Sequence, residues 1–394
     1  MLATAAGSCE RIDRNYDALP RRSEVYDHDR LPPKEFIGPV YVADGTDLLV
    51  CGISAPGGYD WRKDSAIGIS SQCRLVLYRN LVKELALKTG YDERISTDPD
   101  THHIIDGHLY TEFSTTDSTI IKRDGVFRTG FKGREYLLGL LEKEGSVHTL
   151  SKDRGGAFIS YRKDGVQILK IKGATAFGSF EDASFPRSGA LIDLDGSVFF
   201  SYHTSFGGME SNHVVRDGID SQLDAAVFPE KIDDIKFFQG EIWAVGPRNS
   251  KKNSYGLFTP RGCRKEFEFK FNLSERKMYF DGLDYPYVYV RRHYGGGSPL
   301  DCALMKDGTV IENWPFGEYH IFRKNGRNYA VEVGKEDLCI LQRGCVDIFN
   351  GTLFCAMTPL EEGMKPYVLI GDQKREIDLD GYLTGLEICV SPPR

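Results

Sequence analysis

Residues 119–126 read Thr119-Ile120-Ile121-Lys122-Arg123-Asp124-Gly125-Val126, and residues 159–166 read Ile159-Ser160-Tyr161-Arg162-Lys163-Asp164-Gly165-Val166. In both, a β-prone run ends in Asp-Gly and a β-branched residue follows at once. That is the strongest short-range hairpin signal, because the favoured two-residue turn requires positive φ at both central positions. The same punctuation recurs on either side. One set comprises Asp44-Gly45, Asp106-Gly107, Glu144-Gly145, Asp195-Gly196, Gln239-Gly240, Asp281-Gly282, Asn325-Gly326 and Asn350-Gly351. A second set interleaves with it: Arg79-Asn80, Asp124-Gly125, Asp164-Gly165, Asp217-Gly218, Arg261-Gly262, Asp307-Gly308, Arg343-Gly344 and Gly371-Asp372.

From Gly107 to Gly326 the glycines of the first set are spaced 38, 51, 44, 42 and 44 residues apart. Two hairpins per unit of about 44 residues mean four short strands per unit, which is how a propeller repeat reads. The fold class expected is all-β, a β-propeller of four-stranded antiparallel blades, with seven blades preferred and eight the alternative. Residues 36–394 form the propeller and residues 1–35 a polar lead-in. A strand from each terminus should meet in one blade, since closure removes exposed sheet edges. The best helical stretch, Leu81–Lys88, alternates well enough to be a strand.

Composition agrees with this reading and excludes several functions. The 394 residues hold 41% hydrophobic and 12% aromatic residues with 42 glycines, the mixture that short strands and tight turns need. A net charge of −7 gives no basic field for general nucleic-acid binding. No apolar run reaches membrane-spanning length. The nine cysteines (Cys9, Cys51, Cys73, Cys263, Cys302, Cys339, Cys345, Cys355 and Cys389) lack zinc-type spacing and read as free thiols. A reducing, cytoplasmic setting is therefore the default. The alternative is export, with Ala5-Ala6-Gly7-Ser8-Cys9 as the remnant of a leader.

With strands lettered a to d in each blade, the hairpin sets are the a–b and c–d turns at one end. Function then falls to the b–c loops and the crossovers at the other. Those segments carry Tyr59 and Trp61, Arg154, the run His203 to His213, Arg248, and Arg291-Arg292-His293-Tyr294, with His102-His103 in a crossover. Six of nine histidines (His102, His103, His203, His213, His293 and His320) fall at this end, against His108 and His148 inside strands and His28 in the lead-in.

Aromatic rings stack on sugars, Arg forks pair with carboxylates, and His titrates near neutrality. This set suits an acidic or deoxy-sugar-containing oligo- or polysaccharide. His203, His293, Tyr294, His102 and His103 are the candidate acid-base groups. Arg291, Arg292, Arg154, Arg248, Trp61, Tyr59 and His213 are the candidate substrate contacts. In a β-elimination, Arg would neutralise a uronate while His or Tyr moves protons. A carboxylate-pair hydrolysis using two of Asp60, Asp153, Glu210 and Asp301 is a further option. No cofactor is implied, and convergent histidines holding a divalent ion would rest on convergence alone.

Together the turn pairs make residues 36–394 resemble the β-propeller superfamily. Arg292-His293-Tyr294-Gly295-Gly296-Gly297-Ser298 and His102-His103 make the chain loosely similar to propeller-type polysaccharide lyases and glycosidases. That resemblance implies a His, Tyr and Arg site on one loop face. The alternative is a non-catalytic propeller platform that binds a protein or a glycan.

Overall fold

A computed structural model describes residues 10–11, 25–26, 45–54, 73–88, 94–95, 102–105, 107–153, 155–176, 191–194, 196–206, 209–238, 240–248, 253–268, 272–279, 286–293, 301–314, 319–324, 327–332, 346–349, 352–359, 363–371 and 373–390. Among them every regular element of length is a strand, and the strands form eight sheets. In chain order the first sheet runs Gly381–Val390, Thr46–Ser54, Arg74–Arg79 and Val82–Lys88. The second joins Arg94–Ile95 and His102–Ile105 to His108–Ser114, Ser118–Arg123 and Val126–Lys132. The third is Glu135–Lys143, Ser146–Asp153, Phe158–Lys163 and Val166–Lys172. The fourth joins Ala174–Ala176 and Ile192–Leu194 to Ser197–Phe206, Met209–Arg216 and Ile219–Gln222.

Asp234–Phe238, Glu241–Gly246, Ser254–Thr259 and Gly262–Glu268 make the fifth sheet, which Glu10–Arg11 extends in parallel. The sixth is Asn272–Tyr279, Tyr287–His293, Asp301–Lys306 and Thr309–Trp314. The seventh holds three strands, Tyr319–Lys324, Arg327–Glu332 and Val25–Tyr26 from the lead-in. The eighth is Val346–Phe349, Thr352–Met357, Tyr367–Ile370 and Gln373–Glu376. Successive antiparallel meanders, with the C-terminal strand paired to Thr46–Ser54, are the topology of a β-propeller.

Contacts divide the chain into two units. One comprises residues 1–25, 201–215 and 219–330; the other comprises residues 26–200, 216–218 and 331–394. Each has its own apolar core. In the first unit Trp243, Val245, Tyr255, Leu257, Phe267, Met278, Val288 and Met305 pack together. In the second, Leu48, Val50, Val76, Phe354, Val368 and Leu386 form one cluster, and Leu49, Ile53, Leu75, Leu109 and Phe113 form another.

The turn residues explain the regularity. Asp124, Glu144, Asp164, Asp217 and Asp307 have φ near +50°, and the glycine after each has φ between +72° and +83°. These are the paired positive values of the hairpin turn that follows strand twist. The aspartates also do a second job. Leu109, Val147 and Val198 each donate their backbone N–H to the Oδ1 of Asp124, Asp164 and Asp217 at 2.8 Å. Asn80 does the same for Leu48. Each turn is thereby tied to the second strand of its own sheet. The hydrogen bond holds the carboxyls of Asp164 and Asp217 below the ordinary carboxylate range, against the burial that raises them.

At Gly165 the glycine is also steric, because a Cβ there would lie 2.5 Å from the Gly130 carbonyl oxygen of the preceding sheet. The last strand bulges two or three residues after this turn in five of the six sheets whose last-strand register is given; Gln373–Glu376 of the eighth sheet runs without a bulge. Glu84, Arg128, Ile168, Arg264 and Ile311 are the extra residues. A bulge at that position twists an edge strand away from unwanted pairing.

Candidate functional site

The connections expected to carry function are shorter than their composition implies. The run from His203 to His213 is not one loop: His203 lies in Ser197–Phe206 and His213 in Met209–Arg216, with only residues 207–208 between those strands. Likewise His102 and His103 lie in His102–Ile105, paired with Thr111 and Tyr110. Arg291, Arg292 and His293 end Tyr287–His293, opposite Glu275, Leu273 and Asn272. For these five residues the backbone alone is described, as for His320, Glu210 and Asp301. Tyr59, Asp60, Trp61, Arg154 and Tyr294 lie outside the described residues. Asp153 closes the turn that follows it, accepting the Phe158 N–H at 2.6 Å.

The polar residues that the structure does bring together lie on one face of the fourth sheet. Period-two alternation puts Tyr202 and Thr204 on one face of their strand, and Ser211 and His213 on one face of the next. Thr204 Oγ1 lies 2.7 Å from Ser211 Oγ, which lies 3.0 Å from His213 Nε2. On the other side of the ring, His213 Nδ1 lies 3.2 Å from Asp220 Oδ1. The Tyr202 hydroxyl donates to Asp220 Oδ2 at 2.7 Å. Burial, followed by that hydrogen bond, pushes the phenol pKa up, so Tyr202 remains a donor.

Tyr202 also stacks on the imidazole, with centroids 4.7 Å apart and planes 11° from parallel. His213 is thus held in plane and at both nitrogens. The tautomer that satisfies all four groups carries its proton on Nδ1, toward Asp220, and leaves Nε2 to accept from Ser211. Sequence reasoning picked His213 and missed Ser211, which reads as part of a loop, and Asp220 and Tyr202, which look like ordinary strand residues. The available signal was spacing: two i, i+2 polar pairs on neighbouring strands.

A second feature lies in the fifth sheet and the segment before it. Residues 225–231 face Pro247, Arg248, Phe258 and 260–263 across a cleft of about 580 Å³. The segment is fixed in place. Val227 and Phe228 donate to the Asp224 carbonyl, and the Asn212 side chain donates to the carbonyls of Pro229 and Glu230. Gly246 lets it approach, since a Cβ there would sit 2.3 Å from the Lys231 carbonyl. Two exposed guanidinium groups stand at the cleft: Arg248, paired with Glu266, and Arg261, 3.2 Å from Glu241. Cys263 is an exposed thiol there, whereas Cys51, Cys73, Cys355 and Cys389 are buried.

The fifth and sixth sheets also bury charges. Arg276 donates to Asp233 at 2.6 Å and to the Ser254 carbonyl at 2.9 Å. Asp234 accepts the Met278 N–H at 2.9 Å, and Lys236 Nζ lies 3.7 Å from its carboxylate. Burial pushes the Asp234 carboxyl up to about 7 and the Lys236 ammonium down. Among the described residues, no group of three or more His, Cys, Asp or Glu could hold a metal ion. No described helix is long and apolar enough to cross a membrane.

No family model matches the chain, and no curated protein matches it. Solved structures give low likenesses. Dihydro-heme d1 dehydrogenase NirN aligns at TM-score 0.41 and 10% identity, over 94% of this chain and 83% of that one. Kluyveromyces lactis Hsv2 aligns at 0.39 and 12%, over 82% and 97%. BBS1N, solved in complex with ARL6DN, aligns at 0.34 and 9%, over 74% and 84%. The fold assignment rests on the sheet topology.

Proposed function

We propose that this chain is a β-propeller platform that binds a protein partner, and that the cleft bordered by Arg248 and Arg261 is where the partner docks. The observation that carries the reading is the cleft's chemistry. Its lining pairs two exposed guanidinium groups with Phe228, Phe258 and three prolines, Pro229, Pro247 and Pro260. An acidic segment with an apolar anchor matches both halves, the Arg forks taking carboxylates while the anchor enters the cleft. The walls are fixed by backbone hydrogen bonds, so little ordering is lost on binding.

A saccharide lyase has less support. Its chemistry needs an imidazole and an arginine at one carboxylated sugar, whereas the lining of the described cleft holds Arg248 and Arg261 without a histidine. The test is binding of fluorescent peptides that combine Asp or Glu with Leu or Phe, run beside neutral peptides and acidic oligosaccharides. Selective binding of the acidic-apolar peptides, lost about tenfold or more in the double variant R248E/R261E, is the expected result. Oligosaccharide binding without peptide binding, or peptide binding indifferent to charge reversal, overturns the reading.

A further inference from the structure

We propose that Ser211, His213 and Asp220 form a nucleophilic relay in which Ser211 accepts the acyl group of a short-chain carboxylic ester. This goes beyond the platform reading and does not depend on it. The relay lies within one unit, on two neighbouring strands of one sheet, Met209–Arg216 and Ile219–Gln222. Nucleophilic catalysis by serine requires a base within hydrogen-bond reach of the hydroxyl and a third group that orients the base. Both contacts are present, at 3.0 Å to Nε2 and 3.2 Å from Nδ1.

Two other histidines show what an ordinary strand histidine does here. Among the described residues, His108 has a carboxylate partner, Asp124 at 2.6 Å from Nδ1, without a hydroxyl partner. His148 has a hydroxyl partner, Tyr161 at 2.8 Å, without a hydrogen-bonded carboxylate among the described residues. Of these three histidines His213 alone joins the two. The remaining groups serve the same geometry: Tyr202 fixes the second Asp220 oxygen and the ring plane, and Thr204 lies within hydrogen-bond reach of Ser211 Oγ. Ser211 and His213 are only partly buried. Among the described residues the cleft of the fifth sheet does not include Ser211, and a short acyl chain is the class that needs no deep pocket.

In the reaction the Ser211 O–H bond breaks and its proton passes to His213 Nε2 as Oγ bonds to the acyl carbon. The tetrahedral adduct collapses, the ester C–O bond breaks, and the imidazolium returns its proton to the departing alcohol. Water, deprotonated by Nε2, then attacks the acyl-serine and releases a carboxylic acid and the free serine.

The experiment treats the full chain with p-nitrophenyl acetate and separately with a fluorophosphonate, locating the label by peptide mass spectrometry. The proposal expects label on Ser211 and ester hydrolysis above buffer. Both should fall at least about a hundredfold in S211A and H213A and less in D220N. Unfolding midpoints of all three variants are read in parallel. If S211A or H213A fails to fold, D220N, which keeps the size of the side chain, supplies the comparison. An unlabelled Ser211 in the folded chain, under conditions that fully label a known serine hydrolase, overturns the proposal. So does labelling that H213A and D220N leave unchanged.

Discussion

The third and fourth sheets hold polar relays of nearly the same shape with different central residues. In the third, Ser151 Oγ lies 2.7 Å from Arg162 Nη1, and the guanidinium forks onto Glu135 at 2.7 and 2.8 Å. In the fourth, Ser211 meets His213, which meets Asp220. Hydroxyl, cationic or basic nitrogen, and carboxylate are linked in both, although in the third sheet Ser151 Oγ also donates directly to Glu135 Oε2 at 2.6 Å. An arginine never gives up its proton, so the third-sheet relay is an ion pair with a hydroxyl attached. Its guanidinium also stacks on Phe131 at 4.0 Å. An imidazole can accept a proton at one nitrogen while donating at the other. The comparison teaches that one residue type separates a structural brace from an arrangement able to move protons.

The largest expected effect lies in the brace. Arg162→Ala strands a mostly buried Glu135, whose side chain is 12% exposed, and should cost about 3–5 kcal/mol in urea unfolding. His213→Ala removes a partner from Asp220, which is 36% exposed and can turn to water, so the loss should be about 1 kcal/mol. Equal losses would erase the distinction between the sheets.

Next in size is the turn device. Asp164→Ala removes the acceptor for Val147 N–H and should cost about 1–2 kcal/mol, with Asp164→Asn retaining most of the stability. The Asp164 carboxyl is held below 3.8 in the fold. Its contribution is therefore complete above the unfolded value and lost as pH falls through the lower, folded one.

A pH-dependent effect tests the buried pair Asp234 and Lys236 in the fifth sheet. Asp234 is raised from 3.8 to about 7, so the native state holds a proton that the unfolded chain releases. Its ionisation therefore weakens the fold as pH rises from about 4 to about 7. Lys236, held low, acts in the opposite sense. Asp234→Asn should flatten the loss between those pH values, measured as unfolding midpoint against pH.

Much of the scaffold was legible because a hairpin turn is a local event. Asp124-Gly125 and Asp164-Gly165 name their own backbone angles, and the interval between such turns names the repeat. The site was less legible because it depends on which polar residues face one another across strands. His203-Thr204 and Ser211-Asn212-His213 read as loop by their polarity. They are strand residues whose alternate members face opposite ways: Asn212 ties down residues 229–230 while its neighbours form the relay. The cleft was legible only at Arg248, since Arg261 sits in what reads as an ordinary hairpin turn.

The most direct test of the contrast between the two sheets is nitrogen NMR of the His213 ring in the full chain labelled with ¹⁵N-histidine. The expected spectrum shows a protonated Nδ1 bonded to Asp220 and a bare Nε2 facing Ser211, with the Nδ1 proton signal lost or shifted in D220N. A ring protonated at Nε2 and bare at Nδ1 would contradict it, because Ser211 would then face a donor, and the fourth-sheet relay would be a brace like the third.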